Sequence, residues 1–353
     1  MIPRQTVNMT DVAQRCGVSI ASVSRALRGQ PGVSSATRAR VLAAARDLSY
    51  VVSPEASRLA GGPTGRVGVV VPRVDAWFYS TILAGIADEF DALGIDLVLC
   101  TLPDSAARHR FFEALPLRRK VDAVVVVSLP LSSRERTRID QLGVPAVFVG
   151  GHREVRGRVW IGIDDELAAR QAVGHLLRIG HRDIAMIQAG PTDSADADTP
   201  WATDQARING FHTQMREAGL TDPTVITVDW SIDGGSRGME ELLSRPVLPT
   251  AVFCHSDEIA LGALRTLRRA GVSVPHQISV IGVDDHPSAD VHDLTTVAQP
   301  VREQGRLAAR AVLDQLTDLP GGQSSVSAPP QVATPPTTLP TRLVIRGSTA
   351  PPR

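Results

Sequence analysis

Two clusters of carboxylates are the groups in this sequence best suited to chemistry. They are Asp164-Asp165-Glu166 and Asp284-Asp285, and each follows a short apolar run that is typical of a strand. In isolation, such clusters could bind a metal ion or act as general acid and base. Because open α/β sheets bind ligands at the carboxyl ends of their strands, we favour hydrogen bonding to the hydroxyl groups of a ligand.

A second candidate group follows the first predicted strand of the core. It consists of Asp75, Trp77 and Phe78. The two aromatic rings could stack on a sugar ring, or they could pack a loop, and the sequence leaves both interpretations open.

Motifs of enzymes and metal proteins are missing from the sequence. There is no nucleophile elbow, phosphate-binding Walker loop, paired-histidine zinc motif or CxxC pair. His175, His181 and His255 are each isolated within their predicted elements. We therefore predict a protein that is not an enzyme, with no catalytic residue, metal or cofactor.

The cysteines and the hydropathy indicate the compartment. Cys16, Cys100 and Cys254 are odd in number and widely spaced, which is typical of reduced core thiols in a cytosolic protein. The first ten residues contain no apolar signal core, and no run approaches the ~18 apolar residues of a membrane span. We expect a cytoplasmic protein without membrane contact.

Short apolar runs alternate with helical patterns from residue 66 onward. Such runs are typical of strands that are buried on both faces of a parallel sheet. Two series of them predict two doubly wound lobes. The predicted strands are 67–71, 95–100, 121–127, 146–149, 184–187, 225–228, 251–254, 278–282 and 343–345, and the helices are 82–93, 166–179, 205–218, 236–243, 258–270 and 301–316.

Residues 320–340 hold six prolines together with Gly, Ser and Thr. This composition cannot build a core, so we predict an extended loop.

The amino-terminal residues have the pattern of a helix-turn-helix. Thr10 is a candidate N-cap of a first helix, Gly17 permits a turn, and Ser19 can cap a second helix. A third helix, capped by Ser34 or Ser35, carries Val41, Leu42, Ala45 and Leu48 at helical spacing. The exposed face of the second helix carries Ile20, Ala21, Ser24, Arg25 and Arg28 and would enter the major groove of DNA.

The charge distribution supports contact with DNA at one end of the chain. The formal net charge is zero, but residues 1–65 contain eight arginines against three acidic residues. A basic amino-terminal segment on an acidic remainder is expected of a protein that contacts phosphates with one domain only.

Several motifs resemble the lactose-repressor family of bacterial transcription regulators. They are Thr-Asp-Val-Ala at residue 10, Gly-Val-Ser at 17, Ser-Val-Ser-Arg-Ala-Leu at 22, Val33-Ser34, Thr37-Arg38, Leu48-Ser49-Tyr50 and the hinge-like Arg58-Leu59-Ala60-Gly61. The likeness continues to about residue 348. The family usually has Pro-Asn directly after the tyrosine, whereas this chain has Val51-Val52-Ser53-Pro54.

The resemblance implies a DNA-binding surface and a hinge. In the family, two hinge helices fold when a dimer binds its operator, and a hinge leucine enters the minor groove; Leu59 stands at that position. The implied DNA-binding residues are Thr10, Ser19, Ile20, Ala21, Ser22, Ser24, Arg25, Arg28, Ser34, Thr37, Ala56 and Leu59.

The resemblance also implies an effector site between the lobes. Arg207 matches an arginine that bonds effector hydroxyls, Trp230 matches a stacking aromatic, and Ser256 replaces a common asparagine. Such a polar lining suits a polyol. The candidate effector-binding residues are Asp75, Trp77, Phe78, Arg207, Trp230, Ser256, Asp257, Asp284 and Gln299.

We therefore predict an α/β protein with a helix-turn-helix headpiece and a two-lobed core like that of periplasmic binding proteins. The expected domains are a headpiece at 1–50, a hinge at 51–65 and a core at 66–349. Lobe 1 would comprise about 66–163 and 294–320, and lobe 2 would comprise about 164–293 and 339–349.

The predicted function is that of a homodimeric repressor. It would bind a pseudo-palindromic operator, and a sugar or similar metabolite would change its DNA affinity. The alternative is a sugar-binding protein without a regulatory role, which shares the two-lobed core.

Overall fold

The computed structural model describes residues 7–27, 31–48, 50, 63–151, 158–190, 202–317 and 336–353, and only the backbone of 202–204. The chain divides into two compact units, one ending at Thr64 and the other beginning at Gly65. We call them the headpiece and the core and describe each by itself.

Three helices form the headpiece: α1 (Met9–Cys16), α2 (Ile20–Leu27) and α3 (Ser35–Asp47). Small apolar side chains close their common core, with Val12, Val23 and Val41 fully buried. This confirms the predicted helix-turn-helix followed by a supporting helix. Leu42 was predicted on the buried face of the third helix, but 41% of its surface is exposed, so it does not belong to this core.

The first lobe of the core contains a six-stranded parallel sheet in the order β11-β5-β4-β3-β1-β2. Valine-rich strands such as β3 are buried along their full length, which is the pattern of a sheet covered on both faces. Its elements are β1 (Arg66–Val71), α4 (Trp77–Phe90) with a 3-10 turn (Asp91–Leu93), β2 (Asp96–Thr101), α5 (Ser105–Ala114), β3 (Ala123–Val127), α6 (Ser133–Asp140), β4 (Ala146–Val149), β5 (Val159–Ile163), α12 (Val301–Thr317) and β11 (Thr337–Leu339).

The second lobe repeats this architecture in the order β12-β10-β9-β8-β6-β7, with only the edge strand β12 antiparallel to its neighbour. Its elements are α7 (Asp165–Arg178), β6 (Ile184–Ala189), α8 (Ala202–Glu217), β7 (Val225–Val228), α9 (Ile232–Leu243), β8 (Ala251–Cys254), α10 (Asp257–Arg269), β9 (Ser279–Asp284), α11 (Pro287–Val291), β10 (Thr295–Ala298) and β12 (Arg342–Val344). The predicted pair of doubly wound lobes is confirmed.

The described residues cross between the lobes at three places, and one of these differs from the predicted boundaries. The first lies at Asp164, between β5 and α7. The second was expected near Leu294 but follows Ala298, because β10 pairs with β9 of the second sheet. The third follows Leu339, which pairs with Ile163 of the first sheet, and it lies within the predicted segment 320–340.

The carboxyl-terminal end of the proline-rich segment forms a strand. Residues 337–339 were expected in an extended loop, but they add strand β11 to the edge of the first sheet. Proline is tolerated beside such an edge strand because one side of the strand needs no ladder hydrogen bond.

The carboxyl-terminal residues pack on the second lobe. His181 Nδ1 lies 2.9 Å from Thr250 Oγ1, and its Nε2 lies 2.9 Å from the carbonyl oxygen of Ala350. His175 Nε2 lies 3.0 Å from Thr349 Oγ1. Burial lowers the pKa of both histidines, so these two side chains fix the tail as neutral hydrogen-bonding groups.

The described part of the chain contains no helix that is long and apolar enough to cross a membrane. Within the same residues, no group of three or more His, Cys, Asp or Glu side chains is placed to hold a metal ion. The three cysteines carry no disulfide.

Candidate DNA interface and effector cleft

The turn between α1 and α2 is built by local hydrogen bonds. Asn8, and not Thr10, caps α1: its Oδ1 accepts from the backbone N–H of Thr10 at 2.8 Å, and Asp11 accepts from the N–H of Asn8. The predicted cap was two residues late, because Asn8 forms a capping box with Asp11 three residues on. Gly17 ends the helix at a φ of 62°, as its left-handed turn requires.

Helix α2 presents the side chains predicted to read DNA. The Ser19 hydroxyl caps it by accepting from the N–H of Ser22 at 3.2 Å. Ile20, Ala21 and Arg25 are exposed, whereas Val23 and Ala26 on the other face are buried. The helix is therefore amphipathic, and its exposed face carries the small and basic residues that a helix in the major groove needs.

The other DNA-binding candidates are placed less uniformly. Ser34 caps α3, and its hydroxyl donates to Thr37 Oγ1 at 2.9 Å. Ser22 and Ser24 are half-buried. Thr10 is exposed at the start of α1. The calls that fall outside the described residues are Arg28, Ala56 and Leu59, together with nearly all of the predicted hinge.

In the core, the carboxyl ends of the two sheets face each other across a cleft. Arg73, after β1, donates through Nη1 to the carbonyl oxygen of Trp230, after β7, at 3.5 Å. The ring of Trp77 lies edge-on to His286 with 5.2 Å between centroids. The predicted placement of ligand groups at strand ends therefore brings side chains of both lobes together.

Arg207 is the centre of this cleft on the second lobe. Its side chain is only 2% exposed, and Nε donates to Asp165 Oδ1 at 2.9 Å. Nη1 donates to the carbonyl oxygen of His255 at 2.6 Å. Nη2 lies 3.6 Å from Asp284 Oδ1, and the guanidinium lies 5.8 Å from the centroid of the Trp230 ring.

Three carboxyl groups lie around the single positive charge of Arg207. Burial raises the pKa of Asp284 to about 8, although the Arg207 guanidinium opposes part of that rise. Burial also raises the pKa of Asp257 to about 6 and shifts the pKa of Asp165 upward. Because burial disfavours the charged forms, a neutral Asp284 is populated at neutral pH.

Asp284 is held by a chain of amide side chains. Gln299 Nε2 donates to Asp284 Oδ1 at 2.6 Å, and Gln304 Nε2 donates to Gln299 Oε1 at 2.9 Å. The backbone φ of Asp284 is 133° and that of Asp285 is 59°, which are conformations that favour glycine. Such strain persists where surrounding contacts fix the chain, and it is concentrated at binding sites.

Two of the predicted effector contacts serve the protein itself in this structure. Ser256 is fully buried, and its hydroxyl caps α10 by accepting from the N–H of Ile259. Asp257 is also fully buried; it accepts from Thr296 Oγ1 at 2.7 Å and from the N–H of His286 at 2.8 Å. Gly282 permits this arrangement, because a Cβ there would overlap the Asp257 carboxylate.

The first-lobe candidates divide between the cleft and the core. Asp75 is exposed and forms a two-point ion pair with Arg73 at 2.6 and 2.9 Å, which lowers its pKa. Trp77 and Phe78 both pack against the first-lobe core; Trp77 also lies edge-on to His286 across the cleft, and Phe78 lies edge-on to Tyr79. Both rings therefore pack as one of the two interpretations has it, and stacking on a sugar ring stays a prediction.

Four cleft residues were missed from the sequence: Arg73, His255, Glu258 and His286. Glu258, in the first turn of α10, interacts electrostatically with the backbone of Trp77 and with Arg73 across the cleft, and burial raises its pKa. His255 Nδ1 accepts from the N–H of Ala189 at 3.3 Å, and burial holds the pKa of His255 far below its ordinary value. Only the position of Glu258, directly after Asp257, gave a signal in the sequence.

A helix-turn-helix unit joined to a two-lobed core with a polar cleft defines the class of DNA-binding transcription regulators. Two family profiles match the chain: "Bacterial regulatory proteins, lacI family" over residues 8–53 and "Periplasmic binding protein-like domain" over residues 173–349. The HTH-type transcriptional repressor CytR of Escherichia coli (strain K12) is 32% identical, over 97% of this chain and 96% of that protein.

Solved structures agree with this classification. The lac repressor dimer bound to operator and the anti-inducer ONPF matches with a TM-score of 0.82 and 27% identity, over 98% of this chain and 100% of that one. The complex of the transcriptional regulator CelR with cellobiose matches with a TM-score of 0.67 and 31% identity, over 97% and 99%. The chain belongs to the lacI family of bacterial regulatory proteins, which confirms the resemblance seen in the sequence.

Proposed function

We propose that this protein is a homodimeric repressor whose operator affinity changes when a sugar or related polyol binds between the core lobes. The observation that carries the proposal is the buried Arg207–Asp284–Gln299 network beside the Trp230 ring. Carboxylate and amide groups can bond ligand hydroxyls, and an indole ring offers a flat apolar face for a sugar.

The relatives support both partners. One solved relative is a dimer on operator DNA, and another holds cellobiose. The headpiece and family membership favour a regulator over a sugar-binding protein without regulatory role. The relatives are regulators and not enzymes, and we extend that to this chain, acting in the cytoplasm where operator DNA is found.

The coupling between the two activities follows from the contacts that bridge the cleft. A ligand that changes the separation of the lobes must alter the Arg73–Trp230, Trp77–His286 and Trp77–Glu258 contacts. We infer that the segment around Leu59, which stands at the position of the hinge leucine of the family, transmits this change to the headpiece. Leu59→Gly should therefore lower operator affinity much more than effector affinity measured without DNA.

A thermal-shift screen tests the proposed ligand class. Full-length protein is heated with single sugars, including cellobiose and ribose, alone and with a duplex that it has selected from a random pool. A ligand at 100 times its Kd stabilises the folded protein by about 2.7 kcal/mol, which is a readily measured shift. If no sugar or polyol shifts the core transition while another metabolite class does, the proposed ligand class is wrong.

A further inference from the structure

A turn of three consecutive basic residues lies in the first lobe between α5 and β3. Arg118, Arg119 and Lys120 are all exposed. Among the residues that the structure describes, none of the three has an acidic side chain within ion-pair distance. The nearest acids in sequence are engaged elsewhere: Glu113 faces His109 and Arg134, and Asp122 binds a backbone N–H.

The turn is fixed to the lobe by its apolar residues. Leu115 and Leu117 are 4% and 1% exposed and belong to the cluster under one face of the first sheet. Backbone N–H groups of Arg118 and Lys120 donate to the carbonyl oxygens of Leu115 and Leu117, each at 2.9 Å. The cations are therefore presented by an ordered turn, and less conformational entropy is lost when they bind a partner.

The same turn leads to the place where the chain enters the core from the headpiece. The N–H of Gly65 donates to Asp122 Oδ2 at 2.7 Å, and the N–H of Asp122 donates to the carbonyl oxygen of Arg66 at 2.8 Å. This is the amino edge of the first sheet, opposite the carboxyl edge that forms the cleft. About 15 residues join Tyr50 to Gly65, and a segment of that length spans at most ~50 Å when fully extended.

We propose that Arg118, Arg119 and Lys120 bind backbone phosphates of the DNA held by the headpiece. The inference rests on DNA binding by the protein and adds a contact from the core. Phosphates are the partner that fits, since three adjacent cations without side-chain acceptors match a line of anionic oxygens. Contacts of this kind position the core and strengthen binding on any sequence, and they carry no base preference.

The salt dependence of binding tests the proposal. Fluorescence anisotropy would give the Kd of full-length protein for its selected duplex and for a random duplex of equal length, at about 50 to 200 mM KCl. Each lost phosphate contact flattens the slope of log K against log salt by ~0.9. Loss of one contact per protomer flattens it by ~2, so affinity changes about tenfold less across this salt range.

Matched variants separate local contact from net charge. The test variant is Arg118→Gln/Arg119→Asn/Lys120→Gln, with Asn at 119 because this residue has a φ of 60° and asparagine tolerates that conformation. Arg118→Lys/Arg119→Lys keeps the charge and should keep the wild-type slope. Arg178→Gln/Arg182→Gln/Arg216→Gln removes the same charge from exposed positions of the second lobe and should leave the slope unchanged.

The outcomes are distinct. Wild-type binding with a steep slope establishes the DNA-binding activity on which the inference rests. A test variant that remains folded by circular dichroism and keeps the wild-type slope overturns the phosphate contact. Equal flattening by the second-lobe variant also overturns it, because net charge alone would then explain the effect.

A second measurement uses the fact that Lys120 is the only lysine in the sequence. Duplexes carrying one abasic aldehyde at successive positions are mixed with wild-type protein and treated with cyanoborohydride, and the attached peptide is identified. Attachment at Lys120 supports the proposal without any substitution. Attachment of the terminal amine alone, at every position tested, contradicts it.

Discussion

The substitution Arg207→Met should lower the stability of the core more than the same substitution at an exposed arginine. The guanidinium, 2% exposed, faces Asp165 at 2.9 Å and Asp284 at 3.6 Å. Breaking a buried ion pair by removing one partner costs about 3–5 kcal/mol, because the remaining charge is buried without compensation. That is a large part of the ~5–15 kcal/mol that stabilises a typical protein.

The loss should depend on pH in a defined direction. A carboxyl whose pKa is raised in the folded state binds more protons folded than unfolded, so stability falls as pH rises between the two values. For Asp284 that window runs from 3.8 to about 8. Without Arg207 the pKa values of Asp284 and Asp165 rise further, so the variant should lose less stability at pH 6 than at pH 8.

Urea unfolding followed by tryptophan fluorescence measures this effect. All four tryptophans lie beyond residue 64, so the signal reports the core. The control is Arg170→Met: this arginine pairs with Glu217 at 3.1 Å but is 39% exposed, and its loss should change stability by less than ~1 kcal/mol. A loss below ~1 kcal/mol for Arg207→Met, or an equal loss at both pH values, would refute the reasoning.

Three further predictions concern single side chains. Arg25→Ala should weaken binding to a selected duplex by ~1–3 kcal/mol and hardly affect random DNA, because arginine reads guanine bidentately; an equal anisotropy change on both duplexes would show a phosphate contact. Effector affinity should rise with pH toward about 8, since ligand hydroxyls donate best to a charged Asp284, and Asp284→Asn should remove this dependence in calorimetry; a slope that persists contradicts the assignment. Glu258→Gln should weaken the attraction of this side chain to Arg73 and to the backbone of Trp77, and small-angle scattering should show a larger radius of gyration; an unchanged radius would remove this interaction from lobe closure.

The sequence predicted most of the strands whose apolar runs are continuous, although β5, Val159–Ile163, was not among them. Strands β4, β7 and β8 have the predicted bounds because their four residues are apolar or β-branched throughout or nearly so. Strand β10, Thr295–Ala298, was not predicted because two threonines interrupt such a run. They are nevertheless fully buried, since Thr296 donates to Asp257 and Thr295 to the carbonyl oxygen of Arg346.

The sequence indicated which side chains of the candidate site follow strand ends, but it did not indicate which of these side chains pair with one another. The carboxylates after β5 and β9 were found because they follow apolar runs directly. That Asp165 would pair with Arg207, 42 positions away, depends on the packing of α7 against α8, which no local pattern reports. The burial of Ser256 and Asp257 also depends on the fold: Ser256 caps α10, and Asp257 accepts from Thr296 of β10 and from the N–H of His286.

Calorimetric titration of the effector, with and without saturating selected DNA, tests the central claim that the cleft and the DNA interface are coupled. Linkage requires that a ligand which weakens DNA binding is itself weakened by DNA to the same extent. For a ~100-fold preference between the two states, effector affinity should fall by about 2.7 kcal/mol when DNA is bound. An effector affinity that is identical with and without DNA would contradict the coupling and leave a sugar-binding core attached to an independent DNA-binding headpiece.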